Sequence, residues 1–371
     1  MSLPKRLLVA GIIITALVLL LLSNQAHGQS AEDRQRDPSL RGDEEALARQ
    51  MTEWIIKVSE KRHPSGIVRR FNQVKSLGCF DAEFIVSASP PDALRHGIFA
   101  TGGRYPAVVR FANASTLDDR DKDLRGLSIR VSNVPGQPIW GEPGHQDFVL
   151  NSHPVLFADS PETFLAFIKA QYEDSLLGFF LNPFDSHLGA LMILLRARDH
   201  HDSPFNIDYH STTAYALGDQ QAVKYRVTPC STFSPPPADT DNQNYLRAVM
   251  QQHLEQQAVC FDFQVQRQTD PEQMPLDDPS VAWDTAVSEP ITVARLRIEP
   301  QTFSTREALA HCEAMSFNPW QSLQAHRPLG RMNYVRQAVY RKLSAYRHRV
   351  NDTRGGADWP TQQGATHEPG G

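Results

Sequence analysis

Residues 105–112 read YPAVVRFA, and residues 124–131 read LRGLSIRV. Both runs are rich in β-branched and aromatic residues, which is typical of strands. Five further runs have the same character, so the sequence predicts roughly seven or eight strands. These five runs are Cys79–Ser87, Gln146–Leu150, Ala222–Thr228, Ala258–Gln266 and Ile291–Ile298.

Helical patterns occur before, between and after the strand runs. Apolar residues recur on one side from about Glu44 to Lys61, Ser160 can cap a second helix, and His187–Arg198 is a third helical stretch. Residues 239–257 predict a fourth helix, and Ser304–Glu307 has the form of a capping box that opens a fifth. Because strands and helices do not alternate regularly, we expect an α+β fold whose antiparallel sheet is large enough to close into a barrel.

Residues 319–349 predict one more helix near the C-terminus, with an apolar face at helical spacing. The residues on that face are Val335, Val339, Leu343 and Tyr346. Arg336 and Tyr340 are four residues apart, so one side chain lies above the other. A guanidinium beside a phenol stabilises the phenolate, and a phenolate oxygen can be an axial ligand of haem iron. An ordinary amphipathic helix with a surface arginine also accounts for these two residues.

The composition is that of a globular protein. The 371 residues are enough for one large domain or two smaller ones, and the formal net charge of −5 does not indicate binding to nucleic acid or to an anionic membrane surface. The sequence has no P-loop, no GxGxxG after a strand, and no GxSxG, HExxH or CxxC motif. The enzyme classes that depend on these motifs are therefore not indicated.

The N-terminus has the pattern of an export segment. Lys5 and Arg6 precede an uninterrupted apolar run, Leu7–Leu22, and Ala26 and Gly28 suit the −3 and −1 positions of a cleavage site. We expect a cleaved signal peptide and an exported, periplasmic protein. The alternative is that the same run remains as a membrane anchor, with the body outside the cytoplasm.

Composition divides the chain into four parts. Residues 1–28 are the predicted signal peptide or membrane anchor, and the polar residues 29–43 are a predicted linker. Residues 44–352 contain all the predicted strands and helices and form the main domain. Residues 353–371 are rich in Gly and Pro and are predicted to be a disordered tail.

Four cysteines lie in this main domain, at positions 79, 230, 260 and 312. Their spacing fits no zinc motif, and we expect buried free thiols. One or two disulfides are the alternative in an oxidising compartment, where the pairing cannot be deduced from sequence.

Arginines inside the strand runs are a further feature. Arg110 and Arg125 need anionic partners if they face a core, and either a structural salt bridge or a ligand carboxylate would supply one. The adjacent pair His200 and His201 could bind a metal, but a solvated loop accounts for it better.

Four motifs occur in a fixed order along the chain, namely Tyr105–Phe111 (YPAVVRF), Asp123–Gly126 (DLRG), Asp147–Phe157 (DFVLNSHPVLF) and Arg336–Tyr340 (RQAVY). In order and approximate spacing they resemble the haem catalases. The chain is more similar to the short catalase-like haem proteins of bacteria, through further motifs. These are Gly78-Cys79, Ala82–Phe84, Ala222–Arg226, Pro319-Trp320, His326–Gly330 and Asn333. The resemblance covers about Glu44 to Asn351 and implies an eight-stranded antiparallel β-barrel surrounded by helices.

The resemblance also implies a haem b cofactor and the residues that hold it. Tyr340 would be the metal ligand, as a phenolate held by Arg336. Arg70 and Arg110 would bind the haem propionates. Phe164 would place an aromatic ring near the haem.

The distal side departs from the family pattern. Asn151 matches the asparagine that hydrogen-bonds bound peroxide, but alignment on Gly78-Cys79 puts Gln73 where the family has its acid/base histidine. A glutamine donates and accepts hydrogen bonds but does not transfer a proton near neutral pH. Because general acid/base catalysis is typically worth about 10²–10⁴-fold, we expect weakened catalase activity. His63 and Asn72 are the other polar candidates nearby.

Two functions from different classes remain open. One is a haem oxidoreductase that acts on a peroxide or a lipid hydroperoxide. Leu156 and Phe157 would line its channel, and a place in the barrel core accounts for these two residues equally well. The other is a haem-binding protein (a sensor, scavenger or store) without fast catalysis, which the missing histidine favours. The long arm and C-terminal helical domain of large catalases have no room here, so the resemblance predicts a monomer or dimer. We expect no nucleic-acid partner, and membrane contact only through the N-terminal segment.

Overall fold

An antiparallel sheet of nine strands forms the centre of the fold in a computed structural model that describes residues 42–230, 233–235 and 239–354. All seven predicted strand runs are confirmed, and the sequence missed only β5 and β6, which have two and three residues. The strands are β1 (Lys75–Val86), β2 (Gly103–Asn113), β3 (Arg125–Ser132), β4 (His145–Asn151), β5 (Tyr209–His210), β6 (Tyr215–Leu217), β7 (Gln221–Pro229), β8 (Val259–Arg267) and β9 (Ile291–Ile298).

Strand pairing closes the sheet into an eight-stranded barrel. Neighbouring strands follow the order β5-β4-β3-β2-β1-β9-β8-β7-β6, and β5 also pairs with β7. The closed ring therefore contains every described strand except β6, which forms a hairpin with β7. Closure pairs the strand edges that an open sheet would leave exposed. The predicted α+β fold with an eight-stranded antiparallel barrel is confirmed.

Alternation along the strands separates the barrel core from an outer face. In β2, Val109 and Phe111 are fully buried in the core. Arg110 and Ala112 alternate with them along the strand and therefore point to the opposite side. The core is filled by aromatic and aliphatic side chains, among them Phe84, which contacts Phe148 and Phe263. The outer face carries the polar groups of the candidate site.

Seven α-helices surround the barrel in the described part of the chain. Three of them, α1, α2 and α7, share an apolar cluster that is separate from the barrel core, and the predicted apolar face of α7 lies in it. The helices are α1 (Gly42–Arg62), α2 (Pro161–Tyr172), α3 (Leu176–Leu181), α4 (Leu188–Ala197), α5 (Tyr245–Leu254), α6 (Arg306–Ala314) and α7 (Arg331–Thr353).

Several helix ends differ from the predictions. The C-terminal helix begins only at Arg331, because Gly330 has a φ of +85° and a Cβ there would lie 2.4 Å from the carbonyl oxygen of Leu276. The N-cap of α6 is Thr305 rather than Ser304, since the Thr305 hydroxyl accepts a hydrogen bond from the Ala308 amide. The predicted Ser160 cap of α2 is confirmed.

The expectation of free thiols is wrong. A Cys79–Cys312 disulfide joins β1 to α6, and a Cys230–Cys260 disulfide joins the end of β7 to β8, with Cα–Cα distances of 5.4 and 5.5 Å. Both distances lie in the usual range for disulfides. Cys79 and Cys312 are 233 residues apart, so only the folded chain shows that they meet.

The terminal predictions fall mostly outside the described residues. These are the signal peptide or anchor at residues 1–28, the linker at 29–43 and the tail at 353–371. Helix α1 begins at Gly42, within the predicted linker. Among the helices of residues 42–354, none is both long and apolar enough to cross a membrane.

Candidate functional site

Arg336 and Tyr340 form a hydrogen-bonded pair on α7. Arg336 Nη2 donates to the Tyr340 hydroxyl oxygen at 3.0 Å, and Nη1 donates to Thr213 Oγ1 at 3.0 Å and to Asn333 Oδ1 at 2.8 Å. Burial lowers the pKa of Arg336, but the hydroxyls of Tyr340 and Tyr215 raise it more, so the net shift of this pKa is upward. A guanidinium fixed in this way stabilises negative charge on the Tyr340 oxygen.

Helix α7 crosses the outer face of the barrel. Near its start, Asn333 Nδ2 donates to the Ala214 carbonyl oxygen (2.8 Å) in the loop between β5 and β6. Toward its end, Arg347 contacts the same carboxylate as Arg110 of β2. Arg336, Tyr340 and Arg347 lie at i, i+4 and i+11 on one side of the helix, and the two arginines are about 16 Å apart along its axis. Tyr340 therefore lies between these two contacts along the helix axis, on the same side of α7.

Strand register places the distal candidates side by side on that surface. Arg110 lies opposite Ser128, Ala112 lies opposite Gly126, and Gly126 lies opposite Asn151. Directly opposite residues of antiparallel strands share one face of the sheet. These five residues therefore form a continuous surface across β2, β3 and β4.

Gln73 lies across this surface, next to Asn151. A Cβ on Gly126 would lie 2.4 Å from Gln73 Cδ, so the glycine leaves the space that the glutamine side chain occupies. Gln73 Nε2 donates to the Leu150 carbonyl oxygen at 3.4 Å. The Gln73 backbone is left-handed, with a φ of +58°, which costs about 1–2 kcal/mol for a residue with a Cβ. Such strain concentrates at functional sites.

His210 extends the same face beyond Asn151, which it opposes in the β4–β5 pairing. Burial lowers the pKa of His210 to about 4, so the imidazole is neutral near pH 7. His210, Pro154 and Trp283 line a cavity of about 350 Å³ beside the site. The Arg336–Tyr340 pair is not among the residues that line this cavity.

Three arginines converge on the carboxylate of Glu313, at the C-terminal end of α6. Arg70 Nη1 lies 2.5 Å from Glu313 Oε1, Arg347 Nη1 lies 3.7 Å from the same oxygen, and Arg110 Nη2 lies 3.9 Å from Oε2. Arg70 and Arg347 also donate to the carbonyl oxygens of Glu313 and Met315 and so cap the helix end. The structure thus brings Arg70 and Arg110 together and adds Arg347 and Glu313 to them.

This arginine cluster (Arg70, Arg110 and Arg347 around Glu313) has more positive than negative charge. Three guanidiniums and one carboxylate leave a formal excess of two positive charges. Arg110 Nε and Glu313 Oε2 are buried without a hydrogen-bond partner among the described residues. Burial lowers the pKa of Arg347 to about 10 and the pKa of Arg110 well below its ordinary value. The positive charge of the neighbouring Arg70 is the second cause in both cases. Buried charges are normally paired, so the cluster suits an anion with two negative charges.

Phe164 lies on the helical side of the site. Its ring centroid is 5.6 Å from that of Phe157 and 6.5 Å from that of Phe167. It packs against the cluster that contains Val335 and Val339 of α7, and Val339 directly precedes Tyr340. The structure therefore places this ring beside α7 and not on the barrel face with Asn151.

Of the remaining candidates, Arg125 has a structural partner, and the predicted histidine pair is not part of a metal site among the described residues. Arg125 is fully buried, and its Nη1 lies 3.9 Å from Asp123 Oδ2. His200 is exposed in a loop. Within residues 42–354, no group of three or more His, Cys, Asp or Glu side chains could hold a metal ion.

The residues present fit a haem b group in three respects. Tyr340 offers an oxygen ligand with a fixed cation beside it. The outer face of the barrel has the small residues Ala112 and Gly126, with the Gln73 side chain across Gly126 and Asn151 opposite Gly126. The two propionate carboxylates of haem b equal in number the unbalanced positive charges of the arginine cluster.

Comparison with known proteins identifies the architecture. No family model and no curated protein sequence matches the chain. Among solved structures, a fungal catalase matches with a TM-score of 0.59 and 17% sequence identity, over 79% of this chain and 61% of that chain. The chain has the catalase fold. A bacterial catalase matches with a TM-score of 0.58 and 16% sequence identity, over 79% of this chain and 60% of that chain. Catalase A from Saccharomyces cerevisiae matches with a TM-score of 0.59 and 16% sequence identity, over 77% of this chain and 62% of that chain.

The likeness concerns the catalase fold alone, since identities of 16–17% carry no residue roles. The chain spans 60–62% of the length of these catalases. The predicted similarity to the short bacterial branch stays a prediction, because these three structures do not test it.

Sequence reasoning missed three residues of the site. Arg347 had a usable signal, because it follows Tyr340 by seven residues, or about two helical turns, on the same side of α7. Glu313 follows Cys312, which the disulfide holds against β1, but that pairing was not predictable. His210 lies in a two-residue strand that is too short to show any pattern.

Proposed function

We propose that this chain binds haem b between α7 and the outer face of the barrel and acts as an oxidoreductase on a peroxide or an organic hydroperoxide. The observation that carries the proposal is the charge pattern along α7. A phenol paired with a guanidinium lies about two turns from a buried cluster with two unbalanced positive charges.

Each residue on the α7 side has a part in holding the group. Tyr340 ligates the iron through its oxygen, and Arg336 stabilises the phenolate. Arg70, Arg110 and Arg347 bind the propionates, while the Glu313 carboxylate keeps the three guanidiniums together. When bound, the haem supplies the redox chemistry toward peroxide that the side chains lack.

On the barrel side, Asn151 and Gln73 orient the peroxide by hydrogen bonds. Reduction of a hydroperoxide to an alcohol and water takes two protons and two electrons, the electrons coming from a reductant or a second peroxide. Neither amide changes its protonation state, so water or substrate must move the protons. We therefore propose catalase activity weaker by about 10²–10⁴-fold than a histidine would give, and peroxidase or hydroperoxide chemistry in its place.

A second function, haem binding without fast catalysis, is favoured by one specific observation. Gln73 cannot transfer a proton, and His210, a histidine on the same face, is neutral because burial lowers its pKa to about 4. A sensor, scavenger or store would need the arginine cluster and Tyr340 but no acid/base group.

The N-terminal pattern supports export to the periplasm, and two disulfides are typical of exported proteins. An uncleaved anchor at residues 7–22 is the alternative. We propose a monomer or dimer of the short catalase-like type.

The test is an optical titration of the purified protein with ferric haem. We expect a Soret band that saturates at one haem per chain, followed by spectral changes when hydrogen peroxide or a fatty-acid hydroperoxide is added. A saturating Soret band that responds to neither peroxide would leave the binding protein. A spectrum that remains that of free ferric haem, with no shifted and saturating Soret band, would overturn both functions.

A further inference from the structure

Helices α3 and α4 expose large apolar side chains that are buried in most proteins. Seven of the eight exposed large hydrophobic residues of the described chain lie between residues 172 and 195. Phe184, in the connection between the two helices, is 98% exposed, and Leu177 is 73% exposed. We call six of them the α3–α4 patch. They are Leu177, Leu181, Phe184, Leu188, Met192 and Leu195.

The patch is continuous in sequence and spacing. Leu177 and Leu181 are four residues apart on α3, and Leu188, Met192 and Leu195 lie at i, i+4 and i+7 on α4. Each set therefore forms a stripe on one helix face. A helix with the sequence LGALMILLRA is normally buried, yet only Ala190 and Ala197 of α4 are buried here. Contiguous exposed apolar surface of this kind marks a contact with a partner or a membrane.

The other face of α3 packs against α2. Phe179 and Phe180 contact Phe167 of α2, with ring centroids 5.7 and 6.2 Å apart. Phe167 contacts Phe157 at 4.6 Å, and Phe157 contacts Phe164 at 5.6 Å. This aromatic ladder runs from the back of the patch to Phe164, the ring beside α7, and to Phe157 in the segment that follows Asn151.

The composition of the patch favours a lipid surface over a protein partner. The residues that contribute most of the affinity of protein interfaces are enriched in Trp, Tyr and Arg, and leucine is under-represented among them. Four of the six patch residues are leucines, and the residue at the tip is a phenylalanine. The apolar run Leu7–Leu22 behind two basic residues predicts export across a membrane, which would release the chain next to a lipid surface.

We propose that the α3–α4 patch docks on a lipid bilayer and that the aromatic ladder takes up hydroperoxides of membrane acyl chains from it. The substrate part of this inference rests on the proposed function, while the docking part does not. Docking of the patch goes beyond the expectation that only the N-terminal segment meets a membrane. The helices lie on the bilayer surface with their apolar side chains in it, as interfacial helices do.

The docking test is hydrogen exchange of the full chain with and without phosphatidylcholine vesicles. We expect the amides of residues 176–197 to exchange about tenfold more slowly with vesicles, at any protein concentration, while α5 stays unchanged. If these amides are already protected without vesicles, and vesicles do not change their exchange, a segment of the chain itself, such as residues 7–22, covers the patch. Protection that grows with protein concentration would mean a second copy. Either result overturns the proposal.

The delivery test compares two full-length variants loaded with haem. Phe184→Ser/Leu188→Ser removes the tip of the patch, and Leu117→Ser changes a side chain of similar exposure (45%) outside it. We expect the patch variant to consume phospholipid hydroperoxide in vesicles about tenfold more slowly than wild type, with its hydrogen peroxide reaction unchanged. Leu117→Ser should match wild type with both substrates.

The outcomes separate the two proposals. If the patch variant consumes vesicle hydroperoxide at the wild-type rate, the delivery route is wrong. If haem-loaded wild type reacts with neither peroxide, the proposed chemistry fails, and hydrogen exchange still decides whether the patch docks.

Discussion

The two sides of the candidate site differ in how completely they are built. On the α7 side, Tyr340 has a guanidinium at 3.0 Å, and the arginine cluster holds an excess of two positive charges. On the barrel side, the polar groups are the amides of Gln73 and Asn151, and His210 beside them is neutral. The side that would hold a cofactor therefore presents charged groups, whereas the side that would move protons presents amides and a neutral histidine.

The two sides are formed by largely different residues, which meet at one point. The holding residues come from α6, α7, β2 and the segment before β1, and they are tied together by charge. The reacting residues are Gln73, in that same segment before β1, and Asn151 of β4, and Arg110 donates to the Gln73 carbonyl oxygen at 3.0 Å and to Gln73 Oε1 at 3.4 Å. Exchange of the Gln73 side chain keeps the shorter of these two hydrogen bonds, so it should leave the holding side largely unaffected.

Gln73→His should have the largest effect, because it restores a proton-transferring group on the barrel side. We expect the haem-loaded variant to gain about 10²–10⁴-fold in hydrogen peroxide turnover, with unchanged haem affinity. Gln73→Asn, which keeps an amide, is the matched control and should gain nothing. Equal turnover in both variants would mean that Gln73 does not occupy the distal position.

Glu313→Gln tests the holding side in the haem-free protein. It removes the carboxylate among three buried guanidiniums, so we expect the free energy of unfolding to fall by roughly 3–5 kcal/mol in urea titrations. Arg110→Met removes one of the repelling cations but also its hydrogen bonds to Gln73, so we expect a loss of no more than about 1.5 kcal/mol. The same Arg110→Met should weaken haem binding by about 10–100-fold, the worth of a charged hydrogen bond. A loss in Arg110→Met as large as that expected for Glu313→Gln, or no loss in Glu313→Gln, would contradict the charge excess.

The smallest effect is expected in the pH dependence of the wild-type peroxide reaction. Because the pKa of His210 is about 4, its imidazole keeps the neutral form from about pH 5.5 to 8. We expect the rate to change by less than roughly twofold across this range. In Gln73→His the rate should fall below about pH 6.5, where a histidine loses its basic form. A steep dependence in wild type would show that another group on the barrel side transfers protons.

Much of the fold could be predicted because the signal is local. In β2, the alternation of Val109, Arg110 and Phe111 gives both the strand and the face on which the arginine lies. In α7, the spacing of Val335 and Val339 gives the helix and its apolar face. Gln73, Asn151, Arg110 and Tyr340 were candidates from sequence. The structure brings the first three together on the outer face of the barrel, and Tyr340 lies on α7.

The rest depends on contacts between distant segments. Glu313 and Arg347 are far apart in sequence, and their meeting follows from the way α6 and α7 pack on the barrel. Cys79 and Cys312 meet for the same reason. The apolar sequence of α4 predicts burial, and only the folded chain shows that it is exposed, since exposure depends on what the remaining chain leaves uncovered.

The central claim is that the Tyr340 oxygen is the ligand of a haem iron. The most direct measurement is the electron paramagnetic resonance and resonance Raman spectrum of the ferric haem-loaded protein, compared with Tyr340→Phe and Tyr215→Phe. Tyr215 also lies beside Arg336, but burial raises its pKa and so keeps it protonated, which makes it the matched control. We predict a high-spin ferric tyrosinate signature in wild type and in Tyr215→Phe, and its loss in Tyr340→Phe. An unchanged tyrosinate signature in Tyr340→Phe would contradict the account.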